Sequence, residues 1–191
     1  MTMTQDPNKQ ILVALVENKP GVLNRVASLF RRRNYNVDSL TVGRTHKLHI
    51  SRMTIVVDTQ RTDVRQIVAN LRKLVNVIEV KYISTDPHVS RDLALIKVRT
   101  SDADSYNSVT QLCERFPVRV VDMGREVSIL EICASEEVVE EVINLLRPIG
   151  IVEMVRTGMV AMGRGTRILD TQYEPTFGTV PTSNGTNGVV V

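Results

Sequence analysis

The residues whose types and spacing could do chemistry are concentrated in one stretch, Glu17-Asn18-Lys19-Pro20-Gly21-Val22-Leu23. An apolar run, Ile11-Leu12-Val13-Ala14-Leu15-Val16, precedes it, and Val22, Leu23, Val26, Leu29 and Phe30 follow at helical spacing. That order predicts a strand, a sharp turn and a helix, with Pro20 in the first helical turn. The first N–H groups of such a helix, from Gly21, Val22 and Leu23, have no intrahelical partner and carry the positive end of the dipole. Gly21 has no Cβ, so a ligand can approach the backbone, and the turn can cradle a small carboxylate. An ordinary well-capped turn would use the same residues, so they do not by themselves separate a site from a scaffold.

No catalytic constellation competes with this stretch. His46 and His49 could share a metal, but no carboxylate or Cys lies near enough in sequence to complete a site, and exposed loop histidines are expected. Gly163-Arg164-Gly165-Thr166-Arg167 lacks the full glycine–lysine pattern of a phosphate loop and its following helix. Cys113 and Cys133 form no Cys-x-x-Cys pair, and both are expected as buried thiols in a reducing compartment. No Gly-x-Gly-x-x-Gly follows the first strand, which removes support for a dinucleotide fold.

The elements that must position the turn occur twice. Arg31-Arg32-Arg33 closes the first helix, where basic side chains complement its negative end. Residues 36–42 then read as a strand with Val37, Ser39 and Thr41 on one face, and residues 43–50 as a polar loop. A strand over 51–57, a helix capped by Thr62 or Asp63 and a strand over 75–83 complete the first unit. Residues 84–90 read as a linker. The order recurs with a strand at 93–98, a helix at 103–116, strands at 118–123 and 127–134, a helix capped by Ser135, and a strand at 151–160. Its apolar stripe is expected at Val138, Val142, Leu145 and Leu146. Each half is β-α-β-β-α-β, so the expected class is α+β, two ferredoxin-like domains in tandem.

The division expected is an N-terminal extension over 1–9, a first domain over 10–84, a second over 85–169 and a flexible tail over 170–191. The run 11–16 is apolar on both faces, which calls for helices on one and a second domain or subunit on the other. The second unit has only Thr100-Ser101-Asp102, a plain cap without glycine, at the equivalent of the first turn. A cradle is therefore expected once.

Composition narrows the function. Aromatics are 4% of the 191 residues and there is no Trp, so aliphatic side chains fill the core and no stacking surface for nucleic acid is available. No apolar run approaches the roughly 18 residues of a membrane span, and the opening residues are too polar for a signal peptide, so a cytoplasmic location is expected. Residues 1–84 carry 14 basic and 6 acidic side chains, a net +8, whereas residues 85–191 carry 10 and 15, a net −5. The two halves face electrostatically different partners.

Asn36-Val37-Asp38-Ser39-Leu40-Thr41-Val42 and Ser51-Arg52-Met53-Thr54-Ile55, together with the Asn-x-Pro-Gly turn, closely resemble the small regulatory subunit of acetolactate synthase, an ACT-domain family. The resemblance runs from about Ile11 to Leu169 and makes the first domain an ACT domain. It implies a non-catalytic chain that activates a catalytic subunit and confers feedback inhibition by valine or a related branched-chain amino acid. Thiamine diphosphate, Mg²⁺ and FAD would belong to that catalytic subunit, with no cofactor on this chain. It also implies a homodimer through the ACT domains, with the effector at their shared interface. Asn18 and Asn36 would hold the effector's polar groups, the N–H groups of Gly21, Val22 and Leu23 its carboxylate, and Val37 would line the pocket. The loop after Gly43 departs from the family's usual acidic, Pro/Gly-containing form, being basic through Arg44, His46, Lys47 and His49. A free-standing amino-acid sensor acting on another enzyme or regulator is the alternative.

Overall fold

The computed structural model describes residues 8–60, 62–166 and 169, so the expectation for the segment 170–191 lies outside the described residues. The first unit comprises β1 (Lys9–Glu17), α1 (Val22–Arg33), β2 (Asn36–Arg44), β3 (Ile50–Asp58), α2 (Val64–Leu71) and β4 (Val77–Tyr82). Its antiparallel sheet has the order β2-β3-β1-β4. The second unit repeats the plan with β5 (His88–Arg99), α3 (Ala103–Arg115), β6 (Val118–Met123), β7 (Val127–Ala134), α4 (Glu136–Leu146) and β8 (Ile151–Arg156), in the order β6-β7-β5-β8. A short β9 (Val160–Gly163) pairs with the start of β5.

In each sheet one face packs on two helices. Leu12, Ala14 and Val16 of β1 meet Val26, Phe30, Ile67 and Leu71 in the first core, and Ala94, Ile96 and Val98 meet Val109, Val139 and Leu146 in the second. Asp63 caps α2 by accepting from the Arg65 N–H, and Asp102 forms a capping box with Ser105 on α3. In α4 the buried stripe is Val139, Val142, Ile143 and Leu146, one position round from the expected one, and Leu145 is exposed. Both registers satisfy helical spacing in this Val- and Leu-rich run, and docking on β5 selects one.

The other face of the first sheet is covered by a strap from the end of the second unit. The last expected strand breaks into β8 and β9, and β9 lies over that face, with Met159 and Ala161 closing a third core on Ile11, Val13, Val56 and Ile83. The Arg52 Nη2 donates to the Ala161 carbonyl at 2.7 Å, and the Thr41 hydroxyl to the Thr157 carbonyl at 3.1 Å. Gly158 has φ 78, and a Cβ there would lie 3.1 Å from Ser39 Cβ, so only glycine lets the strap approach β2 this closely. Correspondingly, the expected linker over 84–90 is shorter, because His88–Arg91 form the part of β5 that pairs with β9.

Where β5 enters the second sheet, buried Asp92 accepts from Nε of Arg156 at 2.9 Å and from its Nη2, while Arg156 Nη1 reaches Glu140. Removing the carboxylate takes away two of the hydrogen bonds to the Arg156 guanidinium and leaves it Glu140 alone, so Asp92→Ala should cost about 2 kcal/mol. A fall in the urea midpoint at unchanged slope is the expected result, and an unchanged midpoint would refute the assignment. The thiols also differ from expectation. Cys113 is half-buried, and burial pushes its pKa up, whereas Cys133 is exposed because Leu130, Ile132 and Ala134 alternate inward beside it. Iodoacetamide should therefore label Cys133 roughly ten-fold faster than Cys113, by mass spectrometry of partly alkylated protein.

Candidate effector site

The turn between β1 and α1 differs in detail from its sequence reading. Pro20 lies before the helix, and Gly21 is the N-cap, at φ 82 and ψ −9 in the left-handed region. A residue with a Cβ is disfavoured at that φ, which gives Gly21 a backbone reason as well as a steric one. Among the described residues nothing lies within 4 Å of where its Cβ would be, so they leave the space above the helix start open. The Val22 N–H makes only a long bond of 3.4 Å to the Lys19 carbonyl, and the N–H groups of Gly21 and Leu23 meet no acceptor among the described residues. Leu23 does not join the core as its spacing suggested. It is 47% exposed and borders the open space.

Side chains around the turn hold it in place. The Asn18 N–H donates to the His49 carbonyl at 2.7 Å, and its Nδ2 to the Leu48 carbonyl at 3.2 Å. Its Oδ1 meets no partner among the described residues and is available to an ammonium group. Glu17 accepts from Lys19 at 3.1 Å and from Asn76, which in turn accepts from Arg25. That carboxylate is thereby compensated, and no acidic residue occupies the first turn of α1. The electrostatic sense of the helix start is positive, which suits the carboxylate of an amino acid.

Asn36 and Val37 stand elsewhere. Asn36 pairs with Asp58, which pairs with Lys9 at the start of β1, whereas Glu17 at its end pairs with Ile50. Eight residues of strand separate the two ends, about 26 Å at 3.3 Å per residue. One chain therefore does not bring Asn36 to the Gly21 turn. Asn36 is exposed, with its Nδ2 3.4 Å from Asp58, and Val37 packs half-buried against the first core. A bulge at Asp38 places both Val37 and Leu40 on the helix side, so the regular alternation expected for this strand fails. β2 is an edge strand. Among the described residues no group of His, Cys, Asp or Glu could hold a metal ion, and no helix is long and apolar enough to cross a membrane.

A β2-β3-β1-β4 sheet backed by two helices, with an open glycine-capped helix start at one end, defines an ACT-type module joined to a second ferredoxin-like unit. Family models agree: residues 12–79 match the acetolactate synthase small subunit-like ACT domain, and residues 91–165 match the small subunit of acetolactate synthase. The chain is 45% identical over 159 residues to the probable acetolactate synthase small subunit of Archaeoglobus fulgidus, covering 83% of this chain and 99% of that one. It is 40% identical over 166 residues to the acetolactate synthase small subunit of Aquifex aeolicus, covering 87% and 86%. The crystal structure of the acetolactate synthase small subunit from Thermotoga maritima superposes with a TM-score of 0.76 at 39% identity, over 83% of this chain and 99% of that one. The chain belongs to the acetolactate synthase small-subunit family.

Proposed function

We propose that this chain activates the catalytic subunit of acetolactate synthase and makes it sensitive to valine or a related branched-chain amino acid. The observation that carries the effector reading is the Gly21 turn: among the described residues the N–H groups of Gly21 and Leu23 have no acceptor, the space above them is open, and the neighbouring Asn18 Oδ1 has no partner. A carboxylate on the amides and an ammonium on Asn18 are the two ends common to all amino acids. Exposed Leu23 offers an aliphatic contact between them.

The distance between Gly21 and Asn36 supports a site completed by a second copy. Among the described residues the outer edge of β2 is unpaired, and a two-fold axis beside it would align β2 antiparallel to its copy. The beginning of one β2 then meets the end of the other, where Arg44 pairs with Ser51 near the Asn18 loop. Asn36 and Val37 of the second copy would complete the pocket begun by Asn18, Gly21, Val22 and Leu23. An effector bridging two copies favours the paired arrangement it fits, and its action on the catalytic subunit is a shift between arrangements of different activating power. In this reading thiamine diphosphate, Mg²⁺ and FAD act on the catalytic chain in the cytoplasm, and this chain supplies binding energy alone.

Calorimetric titration of the purified chain with a panel of amino acids, beside an activity assay with the catalytic subunit, tests the proposal. Saturable valine binding together with activation is the expected pair of results. Binding without any effect on the catalytic subunit would move the chain to the free-standing sensor class.

A further inference from the structure

A second concavity lies on the opposite face of the first sheet, beside the β9 strap. It encloses about 590 Å³ over an apolar floor of Leu15, Ile50 and Ile83. Its walls carry Arg44, His46, Lys47, Arg52 and Lys81, against one acidic side chain, Asp86. Among the described residues Arg44, Arg52 and Lys81 take part in no ion pair. Arg52 is half-buried, with the Ala161 carbonyl as its side-chain partner, and burial pushes its pKa down. A cation placed this way, without a carboxylate, is costly on its own and gains most from an incoming anion.

The surroundings distinguish a protein segment from a small solute. Met162 lines the concavity and is 62% exposed, and Leu48, on the same loop as Lys47, is 73% exposed. A small anion would leave both apolar side chains in water, whereas a chain segment crossing the rim covers them. A second copy of this chain docking here by its own two-fold would set one basic wall against another.

We infer that this concavity docks a segment of the catalytic subunit that presents acidic side chains flanked by aliphatic ones. The inference rests on the proposed role as a small subunit. One loop joins the docking surface to the effector turn: residues 44–47 line the concavity, while the carbonyls of Leu48 and His49 are held by Asn18. An effector that engages Asn18 therefore bears directly on the segment that contacts the catalytic chain.

The test reverses three wall charges together, Arg44→Glu, Lys47→Glu and Lys81→Glu, and compares the variant with Arg32→Glu, Arg65→Glu and Lys73→Glu, an equal change on the helical side. Affinity for the catalytic subunit should weaken at least ten-fold in the first variant and stay within two-fold in the second, with circular dichroism and a cooperative thermal transition confirming that both still fold. Equal affinity in the first variant, or equal loss in both, overturns the docking site. Photo-crosslinking from position 162 then names the occupant. A link to an acidic segment of the catalytic chain is expected, and a link to a second copy or to residues 170–191 of the same chain overturns the assignment. If wild-type protein does not bind the catalytic subunit at all, the proposed function falls and the docking site with it. If wild type binds and only the wall variant is indifferent, the docking site falls alone.

Discussion

In the Gly21→Asp variant, valine binding is expected to weaken by at least about 100-fold while activation of the catalytic subunit persists. The new carboxylate would occupy the space above the helix start and take the N–H groups that an effector's carboxylate needs. Loss of two charge-assisted hydrogen bonds at about 1.5 kcal/mol each amounts to about 3 kcal/mol, or rather more than 100-fold. Because Gly21 sits at φ 82, any replacement also strains the backbone by about 1 kcal/mol. Gly21→Asn bears the same strain and bulk without the charge, so comparing the two separates repulsion from crowding. Valine inhibition that survives in Gly21→Asp would remove the turn from consideration as the effector site.

The second large effect is a complementation. Gly21→Asp and Asn36→Ala homodimers should each bind valine poorly, because every pocket contains one defect. In a heterodimer of the two, both defects fall in one pocket and the other pocket is intact. Calorimetry on the purified heterodimer should then recover one site per pair of chains, at wild-type affinity. A site contained within one chain gives no such recovery, since every chain is defective. The roughly 26 Å between the two ends of the sheet is the reason to expect recovery.

Much of this was legible in the sequence, because the signals involved are local. The strand–turn–helix order around Gly21, the repeat of β-α-β-β-α-β and the caps at Asp63 and Asp102 all depend on neighbours within a few residues. The apolar run from Ile11 to Val16 also predicted cover on both faces, and the strap supplies it. What was missed depends on distant contacts. Helical spacing places Leu23 beside Val22 and cannot say that it stays exposed at the helix start. The bulge at Asp38 shifts the alternation of β2 through its pairing with β3, with no glycine or proline to announce it. Cys133 reads as buried from its apolar neighbours, yet its face of the second sheet has no helix over it. The separation of Asn36 from Asn18 is likewise a property of sheet order, since the two lie close in sequence and at opposite ends of the sheet.

The strap also has a consequence in time. Ile11, Val13, Val56 and Ile83 belong to the first half of the chain, yet Met159 and Ala161, which cover them, are among the last described residues to be made. At about 5–20 residues per second, the intervening chain takes roughly 4–16 seconds to synthesise. Throughout that interval a nascent first domain, complete in every helix and strand, shows an apolar sheet face to whatever is nearby. Its last folding step is the closing of a seam by the opposite end of the molecule. The two domains, alike in plan, are thus unequal in maturation: the sheet of the first waits for its cover until the second has been made.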